Sequence, residues 1–194
     1  MKQASHSDTQ LIIQIFQEAF IDNPHIIYLL GSKRLERKIA IMTEYVLRVA
    51  HKRGGVYLSD NKDGVLIVFE AEALKLSFLE KCSQYWMAFR CFEWRRLSAI
   101  SKTEKQVQLL RKCQPTDLYV WFYAVSDAAL GGPTARGLMQ DLYQLAKRKN
   151  AAIYAETSIK RNAVVYQRFG FECYQHSQFP NFDLFHLRKF TSID

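Results

Sequence analysis

The sequence has no run of the roughly 20 apolar residues that a membrane-spanning helix needs, and its longest apolar stretch, Leu118 to Val125, is only of strand length. Met1 to Ser7 lack the apolar core of a secretory signal, so export is not expected. Cysteine is sparse: Cys82, Cys91, Cys113 and Cys173 form no Cys-x-x-Cys pair and have no histidine at ligand spacing. That excludes a disulfide framework and a zinc site, no metal is expected, and reduced thiols in a cytoplasmic protein are implied. Neither a nucleophile elbow nor a Ser–His–Asp arrangement is visible. Internal repeats and low-complexity segments are absent too, and no glycine or proline occurs from Glu72 through Gln114. With 48% hydrophobic residues, the expectation is one domain over 1–194.

What the chain has in excess is positive charge, +8 from 27 basic and 19 acidic residues, which suggests an anionic ligand. The bases are dispersed among Lys33-Arg34, Arg37-Lys38, Arg95-Arg96, Arg111-Lys112 and Lys147-Arg148-Lys149. None is interleaved with aromatics as an RNA-binding sheet motif is, so nucleic acid is not an expected partner, and with no spanning run a membrane is not one either.

Patterning divides the chain into elements. Leu11, Ile12, Ile15, Phe16, Ala19 and Phe20 predict a first helix that Ser7 or Asp8 can cap and Asn23-Pro24 ends. His25 to Ser32 reads as a link, and Leu35, Ile39, Met42, Val46 and Val49 as a second helix stopped by Gly54-Gly55. Val56–Leu58 and Val65–Phe69 flank a turn and make a hairpin. Two helices broken near Phe92 fill Glu72 to Gln114. Leu118–Val125 follows as a central strand, then a loop of small residues, then a helix carrying Leu138, Met139, Leu142 and Leu145. Ala152–Ala155 is a short strand and Asn162–Arg168 a short helix that Gly170 can terminate in the left-handed region. Cys173–Gln178 and Phe182–Phe190 close the chain as a second hairpin around Pro180-Asn181. The order predicts a mixed sheet flanked by helices.

Chemistry concentrates at Ala152 to Phe171. Asn162 and Tyr166, four residues apart, share one face of a helix that starts beyond the end of a strand, where open sheets place ligands. Glu156, Ser158, Asn162, Tyr166 and Gly170-Phe171 together resemble the GCN5-related N-acetyltransferase (GNAT) superfamily, in the branch whose last helix carries Asn-x-x-x-Tyr-x-x-x-Gly-Phe. The resemblance implies an α/β (α+β) fold: a mixed, mostly antiparallel central sheet of about six to seven strands flanked by helices, its central strands splayed into an acyl-CoA cleft. It also implies an acyl-CoA-dependent N-acyltransferase. Acetyl-CoA or another acyl-CoA would be the co-substrate, and a small-molecule or peptide amine would attack the thioester directly in a ternary complex.

Site residues follow by position. In the family the asparagine at Asn162 binds the pantetheine arm, and the tyrosine at Tyr166 protonates the leaving thiolate; packing and helix capping are the competing roles. A backbone N–H near Val125 would hold the thioester carbonyl. The family's phosphate loop, Gln/Arg-x-x-Gly-x-Gly/Ala, falls on Leu130, Gly131, Gly132, Pro133, Thr134 and Ala135 when Leu138-Met139 anchors the helix, with Arg136 as a charge partner. Leu130 and Pro133 depart from that pattern, and proline has no N–H to give. Glu156 is the candidate general base, against a purely structural role in its turn. Phe20, His25, Tyr28 and Tyr123 are the candidate acceptor contacts. Two alternatives stay open: a domain of this fold that binds acyl-CoA without catalysis, and a homodimer.

Overall fold

The computed structural model describes residues 1–191. Seven strands form one sheet: β1 (Lys2–Gln3), β2 (Val56–Leu58), β3 (Gly64–Glu70), β4 (Leu118–Val125), β5 (Ile153–Thr157), β6 (Glu172–Phe179) and β7 (Phe182–Lys189). Their order is β1-β2-β3-β4-β5-β7-β6. Every neighbouring pair is antiparallel except β4 and β5, which run parallel. The expected mixed, mostly antiparallel sheet is therefore present.

Seven helices cover it: α1 (Thr9–Phe20), α2 (Pro24–Leu30), α3 (Leu35–His51), α4 (Phe78–Cys91), α5 (Leu97–Leu110), α6 (Pro133–Lys149) and α7 (Lys160–Arg168). The expected link His25 to Ser32 is instead mostly α2. Asn23 caps it by accepting from the N–H groups of His25 and Ile26, and Pro24 occupies its first position, where a missing N–H costs nothing. β1 has only two residues and follows no alternation, which is why the sequence does not announce it.

The sheet separates two cores. On one face α1 and α3 pack on β2 and β3 through fully buried Ile12, Phe16, Ile39, Val56 and Ile67, and α2 packs against α3 and β7. On the other, α6 packs on β3, β4 and β5 through Leu66, Leu118, Leu138, Met139 and Ile153. Burying each such side chain contributes about 1.5–3 kcal/mol relative to exposure. β4 changes hands between these cores. Val68 pairs with Val120 and Ile67 with Phe122, so Trp121 is an extra residue, a β-bulge. As a result Trp121 and Phe122 both face the α1 side, where Phe122 meets Phe16 and Phe20 at ring-centroid distances of 5.1 and 5.6 Å.

Beyond the bulge the two parallel strands part. β4 and β5 are paired only at Leu118, Tyr119 and Val120, opposite Ile153, Tyr154 and Ala155. Past that point β5 pairs with β7 alone and β4 with β3 alone. A gap thus opens toward the carboxyl ends of both strands, where a splay is expected.

Candidate functional site

The gap is bordered by the end of β4, the turn into α6, the end of β5 and the first turns of α7. On the β4 side, Ser126 donates its N–H to the Asp63 carbonyl at 2.8 Å, and Ala124 pairs with Val65. Antiparallel bonding alternates along a strand, so the N–H groups of Tyr123 and Val125 point the other way, into the gap. Next to them the buried Ser126 hydroxyl has no hydrogen-bond partner. Buried hydroxyls are normally satisfied, and Ser126 shares this unpaired state with the Tyr45 hydroxyl and His51 Nε2 elsewhere in the fold. Sequence reasoning passed over Ser126, and only its position beside Val125 could have raised it.

The turn into α6 is partly spent on itself. Gly132 donates its N–H to the Ala129 carbonyl at 3.1 Å, so its expected role as a free phosphate donor does not hold. Pro133 begins α6. Leu130 is exposed and offers only an apolar side chain. Gly131, at φ +74° with open space around its α-carbon, leaves room for a ligand to approach. The N–H groups of Thr134 and Ala135 lie in the first turn of α6, and Arg136 is exposed beside them. The Thr134 side chain is buried and accepts from Asn61 Nδ2 at 2.9 Å, which ties the β2–β3 turn to the helix start.

On the β5 side, α7 starts at Lys160 with Ile159 as its cap, so Asn162 is not the capping residue. Among the described residues, neither the Asn162 amide nor the Tyr166 hydroxyl makes a hydrogen bond to protein. Tyr166 is half-buried, edge-on to Phe171 at 5.1 Å and to Tyr123 at 6.3 Å. Burial, helped by nearby Tyr143, raises its hydroxyl well above the usual phenol range, so it stays protonated at neutral pH. Gly170, at φ +81°, closes α7; a side chain there would meet Lys189 Nζ at 2.8 Å. Tyr143 and Lys189 both donate to the Phe169 carbonyl, at 2.6 and 2.7 Å, and so hold the end of α7 on the sheet.

Glu156 lies just past the last β4–β5 pair, on the opposite face of the sheet from Tyr166. Arg111, at the end of α5, grips it with two hydrogen bonds of 2.7 and 2.9 Å, and the Tyr119 hydroxyl donates to it at 2.9 Å. His186 of β7, fully buried, has Nδ1 3.2 Å from Glu156 Oε1 without the alignment of a hydrogen bond. Burial alone would raise the Glu156 carboxyl, but Arg111 and His186 outweigh it and hold it at about 2. A carboxylate so poised, its oxygens already engaged, is a poor proton acceptor. The expected general-base role is at odds with this environment, in which the Arg111 guanidinium neutralises the carboxylate. The partners come from positions 111, 119 and 186, which no local spacing in the sequence links to Glu156.

The expected acceptor contacts divide. Phe20 lies with Phe16 and Phe122 on the α1 side. His25 stacks on Phe182 at 4.4 Å and hydrogen-bonds Glu104 at 2.9 Å, while Tyr28 bonds Thr103 at 3.0 Å, so both help fasten α5 to α2 and β7. Tyr123 is elsewhere: its hydroxyl donates to the Ala135 carbonyl and its ring faces Tyr166. Regular alternation from Tyr119 would place it on the Glu156 face, and the Trp121 bulge reverses that. It is therefore a residue of the α6–α7 side, not of the Glu156 face. Ser158, at the end of β5, donates to Asn23 Oδ1 at 2.9 Å and ties this strand end to the α1–α2 corner. Among the described residues no group of three or more His, Cys, Asp or Glu side chains could hold a metal ion, and no helix is long and apolar enough to cross a membrane.

No protein-family model and no curated protein matches the sequence. Solved structures do resemble the fold. One, described as histone acetyltransferase HPA2 and related acetyltransferase of Corynebacterium glutamicum, aligns over 99% of this chain and 96% of its own, at TM-score 0.67 and 16% identity. The C-terminal condensation domain of Ebony, solved with beta-alanyl-dopamine, aligns over 97% and 96% at TM-score 0.70 and 11% identity. Arylalkylamine N-acetyltransferase 2 of Aedes aegypti aligns over 97% of each chain at TM-score 0.67 and 11% identity. At such identities the likeness is one of fold.

Proposed function

On the premise that this chain has the fold of the GCN5-related N-acetyltransferases, we propose that it is an acyl-CoA-dependent N-acyltransferase that moves an acetyl group to a primary amine. The observation that carries this reading is the unpartnered Tyr166 hydroxyl at the edge of a gap into which the Val125 N–H points. Acyl transfer from a thioester is accelerated by two such donors. The amine nitrogen attacks the carbonyl carbon and a C–N bond forms. The developing oxyanion accepts a hydrogen bond from the Val125 N–H. As the C–S bond breaks, Tyr166 gives its proton to the thiolate and recovers one from solvent, which also takes up the proton lost by the amine.

The residues around the gap fit an acyl-CoA in part. Asn162 and the orphaned Ser126 hydroxyl suit the amide-rich pantetheine arm. Gly131, Thr134, Ala135 and Arg136 suit the pyrophosphate. Glu156, neutralised by Arg111, acts as a positioning residue on the opposite face, not as the base. A small-molecule or peptide amine is the acceptor class, in keeping with the amine chemistry named for two structures of this fold. A cytoplasmic location accords with scarce, unpaired cysteines.

Release of free thiol from acetyl-CoA, measured against a panel of amines, tests the reading. Tyr166→Phe should lower turnover about a hundredfold while leaving the KM for acetyl-CoA nearly unchanged. Equal turnover in that variant removes the general-acid role. A second reading, coenzyme binding without catalysis, is favoured by the engaged Gly132 N–H and by Pro133. Calorimetric binding of acetyl-CoA with no transfer to any amine would establish it.

A further inference from the structure

The helix α4 carries apolar side chains on two sides. Met87 and Cys91 face the core together with Glu80, whose carboxylate is paired to Arg53. The opposite side carries Phe78, Leu79, Tyr85, Trp86 and Phe89, which are 63–78% exposed. At 100° per residue these five and the exposed Cys82 fall within about a third of the helix circumference, a continuous apolar stripe. Single exposed apolar residues are ordinary, but a stripe of five large ones marks a contact surface. It runs on into an open depression of about 420 Å³ lined by Phe89, Phe92, Glu93, Arg95 and Leu97.

Charge distinguishes among occupants. Lys81 borders one margin of the stripe and Arg90 the other. Both are exposed, Arg95 lies just beyond, and none of the three makes an ion pair among the described residues. No acid lies on the stripe. Glu80 points inward, and the Glu93 carboxylate lies with Arg96 and Lys38 near Gly31. A second copy laid on this face would set cations against cations between two chains of net charge +8. A surface of anionic lipid headgroups would complement both margins. Tyr85 and Trp86 are the side chains that settle at the boundary between headgroups and acyl chains.

We propose that the outer face of α4 docks on an anionic lipid bilayer, with the helix in the plane of the interface and its aromatic stripe in the headgroup–acyl boundary. Helices that bind this way combine an apolar face with basic margins. At 14 residues α4 is too short to span the bilayer, so this is peripheral attachment. The expectation that no membrane partner exists followed from the missing span, which peripheral docking does not need. The proposal is independent of the acyltransferase reading.

The test is co-sedimentation of the full chain with vesicles of phosphatidylcholine alone and of phosphatidylcholine with phosphatidylserine at about three to one. Binding to the mixed vesicles, weak binding to the neutral ones and loss on raising salt are expected. A Trp86→Ser/Phe89→Ser chain should partition about tenfold less, and so should Lys81→Glu/Arg90→Glu. All these side chains are exposed, and circular dichroism confirms that each variant is folded; the charge variant stands alone should the aromatic one not be. Failure to bind the mixed vesicles at low salt overturns the proposal. So does binding unchanged in both variants, or a homodimer in sedimentation velocity that Trp86→Ser/Phe89→Ser dissociates, which would assign the stripe to a second copy.

Discussion

Two partly buried arginine–glutamate pairs, Arg53–Glu80 and Arg111–Glu156, share a chemistry and differ in everything around it. Each is a two-point contact, and each carboxyl is held at about 2. At Glu80 the hydrogen bonds from Arg53 lower it first, helped by the Ser77 N–H at the start of α4. Arg53 is further bound by the Ala73 and Val49 carbonyls at 2.6 and 2.8 Å. Every group there is used to join α4 to α3 and the end of β3. Arg111–Glu156 is surrounded instead by Tyr119 and His186, at the point where β4 and β5 part. A pair satisfied by backbone fixes architecture. One ringed by ionisable side chains at the edge of a gap also fixes a field.

The comparison is sharpened first by truncation. Glu156→Ala leaves Arg111 without a counter-charge and should cost about 3–5 kcal/mol in urea-induced unfolding. Glu80→Ala should cost less, about 2–3 kcal/mol, because Arg53 keeps its backbone acceptors. Equal losses would erase the distinction. Acid is the next probe. Both carboxyls sit at about 2 when folded against an ordinary 4.5, so the unfolded chain binds more protons between those values. The stability due to each pair is complete above pH 4.5 and is lost as pH falls toward 2. Removing either glutamate should flatten that acid limb, read from melting temperature against pH. The neutral isosteres separate architecture from field: Glu156→Gln should lower kcat/KM for an amine acceptor about tenfold, and Glu80→Gln should leave it within about twofold. Parallel losses in both would assign Glu156 to scaffolding alone. The smallest effect is expected at Asn162→Ala, a few-fold rise in the KM for acetyl-CoA without loss of stability, since the exposed side chain makes no hydrogen bond among the described residues.

Elements with one apolar face were legible in the sequence. Leu118–Val125 is a strand over those very residues, and α3 and α6 bury the faces that their spacing marks. Misreadings have physical causes. Asn23-Pro24 stops α1 and in the same two residues caps and begins α2, so a boundary signal serves two helices. Period alone does not tell which apolar side of α4 faces inward, because both sides are apolar. At the gap, local spacing placed Asn162 and Tyr166 on one helix face. It could not supply the surroundings of Glu156, which arrive from a helix end and two other strands, and it could not foresee that Tyr123 changes sides.

That change of sides gives β4 a parity. Before Trp121 the even-numbered residues look toward α6; after it the odd-numbered ones do. Deleting Tyr123 or Ala124 would exchange the residues that follow, turning the Val125 N–H away from the gap and toward β3. Removing Trp121 itself would leave every downstream residue facing as before and take out only the local bend. Length changes in this strand are thus unequal: a deletion at the bulge is absorbed as a change of shape, and one beyond it becomes a change of identity for the end of the strand.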